Sequence, residues 1–417
     1  MESLKIKGLR VLKWTEGYTK TDMVYLAKGG FWLGLGQFVS SGAAFLTSIA
    51  FANLLSPEIF GVYKYILSIT SLLTITTLSG MDSALTQAIA RGFDGTLAPA
   101  VRAKMKWGVL GSFLSLLLGG YYYLHGNMTM AIAFCSIAIF MPFTESLDMY
   151  NSMLWGKKLF SVQVNYNIVK KIFALVSLVT TIFLTHNIYI ILFVYFISVI
   201  IPNLIFLNRT KKIYAKNNDV DPEAINYGKH LSGAYIISTI LSELDKVLVF
   251  HFVGAIDLAI YSLATAPTDQ IKGLLKNVNS LAMPQFSQRS VEEIKQTLWH
   301  KVIILTLFIT TIVIFYILIS PIFFKIFFPK YLSSIYYSQI LSISLIPVII
   351  SGFIYTILES QKSQKEIYQY NLYGNLFGII ILIPLVYFFG IWGAISSKII
   401  TRFFSLGLVS KLIRNIS

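Results

Sequence analysis

The chain has 417 residues, of which 55% are hydrophobic, 15% aromatic and only 13% charged, with a mean hydropathy of +0.69. Ordinary globular domains carry about 25% charged residues, because a folded surface in water needs a polar covering. The solvent for most of this chain is therefore lipid, and a soluble enzyme or cytosolic scaffold is excluded. The net charge of +15 records, in such a chain, which loops face the cytoplasm, and no nucleic-acid partner is implied. The single cysteine, Cys135, lies inside an apolar run, so no intrachain disulfide is expected. Lys5, Lys7, Arg10, Lys13, Lys20 and Lys28, mixed with Glu16 and Asp22, do not read as a signal peptide.

A helix needs about 20 apolar residues to cross the hydrocarbon core. With that window the sequence predicts twelve spans, near 30–52, 61–89, 107–124, 129–153, 166–185, 188–208, 230–253, 258–282, 300–320, 335–357, 369–389 and 391–410. The expected organisation is a cytoplasmic N-terminal segment (1–29), a six-helix bundle (30–208), a cytoplasmic linker (209–229), a second six-helix bundle (230–410) and a cytoplasmic tail (411–417). No ten-residue alternation of apolar and polar residues points to a β-barrel, so the expected class is all-α integral membrane.

Orientation follows from Lys and Arg in the loops. With the N-terminus inside, cytoplasmic segments collect 26 of the 34 basic residues, and only Lys64, Lys325 and Lys330 fall near the outer side. That asymmetry places both termini in the cytoplasm. The outer loops, of which 321–334 is the longest, leave no room for a catalytic domain.

The halves look related. At an offset of 198, Leu55-Ser56-Pro57-Glu58-Ile59-Phe60-Gly61-Val62-Tyr63 falls on Val253-Gly254-Ala255-Ile256-Asp257-Leu258-Ala259-Ile260-Tyr261. Each segment joins the first span of a half to its second. With an even span count per half, the repeats are expected to be parallel, with the substrate path at their interface.

Lys28-Gly29-Gly30, then 52–63 (ANLLSPEIFGVY), then 80–91 (GMDSALTQAIAR), resemble the opening of Wzx-type O-antigen flippases. These are polysaccharide biosynthesis proteins of the multidrug/oligosaccharidyl-lipid/polysaccharide exporter superfamily. Asp245-Lys246, Val253-Gly254 and Tyr261-Ser262-Leu263-Ala264 echo the family in the second half. Gln87 departs from it, standing where an arginine is often seen. The resemblance implies a MATE-like fold in a bacterial cytoplasmic membrane and translocation of an undecaprenyl-pyrophosphate-linked oligosaccharide from inner to outer leaflet by alternating access. The partners it implies are that glycan, membrane lipids, a polysaccharide polymerase and a chain-length regulator. A multidrug or small-molecule exporter of the same superfamily, or a polysaccharide polymerase, are the alternatives.

A charge at mid-bilayer costs at least about 2.5–3.5 kcal/mol, so it implies a partner or a wet cavity. The seventh span carries Glu243, Asp245 and Lys246, and the eighth carries Asp269, Lys272 and Lys276 beside Thr265, Thr268 and Asn279. The eighth-span residues recur at three- and four-residue steps and share a helix face, which is expected to line the cavity. Lys272, Lys276, Lys246 and Asp269 are the candidate contacts to a pyrophosphate headgroup, since lysine serves phosphate as a compact point charge. The competing reading pairs these lysines with Glu243, Asp245 or Asp269. Glu145 and Asp148, one turn apart after Pro142, are candidates for proton coupling or an interfacial cap, and Asp82 is a further coupling or gating candidate that could pair with a neighbouring helix. Lys398 and Arg402 read as snorkelling towards the inner interface. Among the in-span prolines, Pro267 is the gating candidate. No Gly-rich phosphate loop ending in Gly-Lys-Ser/Thr, no metal-ligand spacing among the five histidines and no catalytic triad is present in the sequence. No enzyme activity, cofactor or metal is therefore expected.

Overall fold

The computed structural model describes residues 23–286, 291–361 and 363–415. The described residues are overwhelmingly helical and contain no strand. In chain order the helices are α1 Met23–Leu54, α2 Pro57–Leu73, α3 Met81–Ala90, α4 Leu97–Leu124, α5 Met128–Thr144, α6 Tyr150–Gly156 and α7 Phe160–Leu184. They continue as α8 Ile188–Tyr214, α9 Ala224–Phe252, α10 Ala255–Phe286, α11 Val291–Phe327, α12 Ser334–Ile343, α13 Leu345–Ser360 and α14 Gln364–Leu412. Nine segments among the described residues are long and apolar enough to span a bilayer. One of them, α14, has 49 residues but turns at Gly390 (φ 56°, ψ −129°), a conformation suited to glycine. Its two limbs each have spanning length. Helices α9 and α10, with 29 and 32 residues, are also long enough, but their charged residues keep them out of the apolar set.

Two expected spans are interrupted. The span at 61–89 breaks where Leu78 adopts a left-handed conformation (φ 58°), and α3 restarts at Met81. The span at 129–153 breaks after Thr144, where α5 ends two residues past Pro142. A 3₁₀ turn, Leu147–Met149, then leads into α6.

The internal repeat is visible in the backbone. Helix α1 ends at Leu54 and α2 begins at Pro57, while α9 ends at Phe252 and α10 begins at Ala255, so the offset of 198 maps one junction onto the other residue by residue. The same offset carries Ser146 onto Ser344, and each serine sits at the break in the fourth span of its half. Both hydroxyls are buried and donate back into the preceding helix, Ser146 to the Pro142 carbonyl and Ser344 to that of Leu341, each at 2.5 Å.

Packing differs between the two membrane faces. At the face bearing the α1–α2 and α9–α10 junctions (the junction face), one core joins both halves. It includes Phe51, Phe60, Tyr63 and Phe134 from the first half with Val249, Tyr261, Phe324 and Tyr331 from the second. Gly61 permits this approach, because a Cβ there would lie 1.8 Å from the Ala255 carbonyl oxygen. Asn53 donates to the Phe327 carbonyl (2.8 Å), and Lys330 to that of Asn53 (2.7 Å). At the opposite face, which carries the chain between α8 and α9 (the linker face), the apolar cores are separate, and the halves meet there through α3 and the start of α9, where the Gly80 amide donates to Ser232 Oγ at 3.0 Å and Gly228 lies against Met81. One clusters around Met81, Met153, Tyr150 and Phe206, the other around Ile294, Leu298, Ile354 and Val409. Outward-facing surfaces of α4, α11 and α14 expose Phe113, Leu117, Leu307, Phe315, Tyr387 and Phe388, the apolar jacket that lipid requires.

Residues 215–223 are strapped to the first half at the linker face. Asp94 accepts from Lys157 Nζ and from the Lys216 amide, both at 2.7 Å. Asn217 bridges the Asp94 amide and the Gly92 carbonyl. Arg91 is paired with Asp221, the Asp221 amide donates to Thr96 Oγ1, and Gly95 lies against the Asn218 backbone with no room for a side chain.

Candidate substrate passage

The two helix interruptions build the first polar site. Asp82 sits in the first turn of α3, where the helix N-terminus favours a carboxylate. Glu145 and Asp148 lie in the break between α5 and α6, off the regular helix ladder. With Ser83, Thr86, Gln87, Asn151, Ser152 and Trp155, these three acids line a cavity of about 530 Å³ towards the linker face. The expected interfacial cap is thus part of a pocket wall.

Two lysines behind the wall stabilise it. Lys104 of α4 is 1% exposed and places Nζ 2.9 Å from Asp82 and 3.9 Å from Glu145. Lys170 of α7 reaches Asp148 at 2.5 Å and lies over the Tyr150 ring. Asn151 donates to Asp148 (2.9 Å) and Ser152 to Asp82 (3.3 Å). Lys104 falls just ahead of the expected span at 107–124 and Lys170 near the start of that at 166–185; α4 begins at Leu97 and α7 at Phe160, so both lie well inside helices. Three acids within spans demand cations nearby, and that demand was the available signal.

A second charged layer lies near the junction face. Asp245 of α9 is 1% exposed. It accepts from Tyr261 Oη of α10 at 2.5 Å and pairs with Lys398 of α14 at 2.6 Å. Lys398 is eight residues past the Gly390 turn, so it sits near the junction face and is held by Asp245. The inner-interface snorkelling expected of it is corrected accordingly. Lys246 pairs with Glu243 one turn away at 2.8 Å. Lys64 of α2, expected at the outer surface, is two turns inside its helix, over the Phe60 ring at 5.3 Å and within electrostatic reach of both Lys246 and Glu243. Of the two ammonium groups, only that of Lys246 is in ion-pair contact with Glu243.

The polar face of α10 divides. Thr265 and Thr268 are buried and donate to carbonyls of their own helix, Ser262 and Thr265 respectively, so that stretch is packed rather than open. Asp269 and Lys272, further along, are exposed. The Lys276 side chain lies outside the described residues. Arg402 is bonded to Ser344 at the fourth-span break of the second half, within electrostatic reach of Asp269 and Asp245. Pro267 faces away from these charges, onto an apolar cavity of about 310 Å³ shared with Phe38 and Phe45 of α1 and Phe323 and Phe328. No cluster of three or more His, Cys, Asp or Glu suited to a metal occurs among the described residues. The arrangement offers fixed charges and hydrogen bonds at two depths, in two halves that touch at both faces.

Comparison with known proteins agrees with this architecture. Residues 26–290 match the sequence model of a family described as "Polysaccharide biosynthesis protein". A curated relative, an uncharacterized membrane protein of Methanocaldococcus jannaschii, is 22% identical over 93% of this chain and 84% of its own length. Among solved structures, the lipid II flippase MurJ in an inward closed conformation superposes with a TM-score of 0.69 at 14% identity, covering 92% of this chain and 87% of MurJ. A multidrug resistance MATE family transporter of the MOP superfamily in an outward-facing conformation gives 0.62 at 13% identity, over 93% and 97% of the two chains.

Proposed function

The chain belongs to the polysaccharide biosynthesis protein family, and from that premise we propose that it flips an undecaprenyl-pyrophosphate-linked oligosaccharide from the inner to the outer leaflet of a bacterial cytoplasmic membrane. The family and the fold are of the transporter and flippase type, and the chain crosses the membrane several times. The linker face is cytoplasmic in this reading, because the basic loops gather there, and both termini lie inside. Residues 30–208 and 230–410 are the rocking halves. The observation that carries the proposal is the Lys246–Glu243 pair of α9 with Lys64 of the other half within electrostatic range, a group of two cations and one anion. A pyrophosphate leaving water supplies the negative charge that this group lacks. Lys272, Lys276 and Asp269 form a further station nearer the cytoplasm, and Asp82, Glu145 and Asp148 are the coupling groups.

Export of organic cations is the second reading, supported by the three carboxylates of the first cavity. Lys104 and Lys170 already compensate most of that charge, which favours the glycan. Deleting the gene and locating lipid-linked glycan by leaflet tests the proposal. Accumulation on the cytoplasmic side is expected, reversed by the wild-type chain and not by the Lys64→Ala/Lys246→Ala variant. Normal surface polysaccharide with altered resistance to cationic drugs decides for the exporter.

A further inference from the structure

We propose that the 530 Å³ cavity of the first half is a sugar-reading pocket, which receives one or two glycosyl rings of the cargo and sets which glycan is carried. The inference rests on the cargo being a lipid-linked oligosaccharide and adds where its sugars are recognised.

The volume falls inside the roughly 300–1,000 Å³ of small-molecule sites and far exceeds what an inorganic cation fills. The wall is chemically one-sided. Trp155 supplies the large apolar surface, and Ser83, Thr86, Gln87, Asn151 and Ser152 supply hydroxyls and amides. A sugar ring has the matching character, with a C–H face that stacks on an indole and a rim of hydroxyls that donate and accept. Asp82, Glu145 and Asp148 add paired acceptor oxygens for vicinal hydroxyls. Their positions are fixed by Lys104, Lys170, Asn151 and Ser152, so little ordering cost falls on binding. Ser83 and Gln87 make no side-chain hydrogen bond to another described residue, which leaves their capacity for a ligand.

Rival ligands fit worse. A phosphate would face three carboxylates, with both lysines behind them. An apolar drug would find one aromatic wall and a ring of polar groups that it strips of water and leaves unpaired. The pocket therefore reads sugars, while phosphate recognition belongs to the cationic groups elsewhere in the passage.

The test uses the purified full-length chain in detergent and free sugars without lipid or phosphate: glucose, galactose, rhamnose, N-acetylglucosamine, N-acetylgalactosamine and glucuronic acid. Binding is read by saturation-transfer NMR on wild type, Trp155→Ala, Trp155→Tyr, Gln87→Ala and, as a control at an exposed lysine outside the passage, Lys325→Ala. At least one sugar is expected to bind saturably. Trp155→Ala should weaken it about tenfold, consistent with loss of an aromatic platform, and Gln87→Ala should weaken it measurably. Trp155→Tyr should retain most of the binding, and Lys325→Ala should leave it unchanged. Trp155 is partly exposed, and Gln87→Ala gives an independent readout should Trp155→Ala misfold. Saturable binding of none of the six sugars, or binding indifferent to both Trp155→Ala and Gln87→Ala, overturns the pocket. The leaflet assay is a separate matter. Cytoplasmic accumulation on deletion without sugar binding leaves the flippase standing and removes the pocket, and sugar binding without accumulation does the reverse.

Discussion

Lys398 and Asp245 form a 2.6 Å ion pair between the last membrane segment and α9, and Tyr261 closes the same carboxylate oxygen from α10. Three helices of the second half thus meet on one buried charge, whose other oxygen has no hydrogen-bond partner.

Removing one member strands the other. Lys398→Met leaves a carboxylate uncompensated in a low-dielectric setting, at a cost of about 3–5 kcal/mol. The thermal midpoint in detergent should fall clearly, and the double variant Asp245→Asn/Lys398→Met should recover most of the loss. Equal destabilisation in single and double variants would show that the pair is not the source.

Gly61 tests closure at the junction face. A methyl group there meets the Ala255 carbonyl, so Gly61→Ala should force α2 and α10 apart. Cysteines introduced at Asn53 and Phe327, in a Cys135→Ala background, should crosslink efficiently in the parent and several-fold less with Gly61→Ala. An unchanged yield means that closure tolerates the methyl.

The exposed station on α10 predicts a graded export defect. Lys272→Ala should lower surface polysaccharide at normal protein level, and Lys272→Ala/Lys276→Ala should lower it further. Wild-type export by the double variant removes these lysines from the passage.

Pro267 denies α10 one backbone hydrogen bond and lines the apolar cavity against α1. Pro267→Ala should restore that hydrogen bond and slow export while insertion and abundance stay normal. Export at the parental rate shows that the proline does not matter for movement.

The strap at the linker face is testable by protease. Gly95→Ala places a Cβ about 2.3 Å from the Asn218 backbone, and Arg91→Ala removes the partner of Asp221. Loss of contacts worth about 1–3 kcal/mol should speed cleavage within 215–223 roughly tenfold where cleavage follows the open population. Parental cleavage rates in both variants would sink this account.

Composition and hydropathy made the membrane class and the helical segments legible, because twenty apolar residues in a row have few other solutions. The repeat was legible at the α1–α2 junction, and the backbone extends it to Ser146 and Ser344. Polar residues mark the neighbourhoods of Leu78 and Pro142, but apolar runs on either side keep each within one hydropathy window, so the exact breaks show only in the backbone. Charge partners were the least visible. Lys104 and Lys170 lie near span ends, where a window method counts them as loop, and the Asp245–Lys398 pair joins residues 153 positions apart. Asp82, Glu145 and Asp148 were found because an acid inside a span is anomalous on its own. Lys64 needed the packing of α2 on α9 to be placed.

The strap also bears on synthesis. Every residue that fastens 215–223 lies upstream of α9, so the clasp is complete before the second set of helices leaves the ribosome. A gene severed into two cistrons should therefore be cut after residue 222, not ahead of 215. The leading polypeptide would then fasten its own tail, and the trailing one would begin with the helix that must dock onto it.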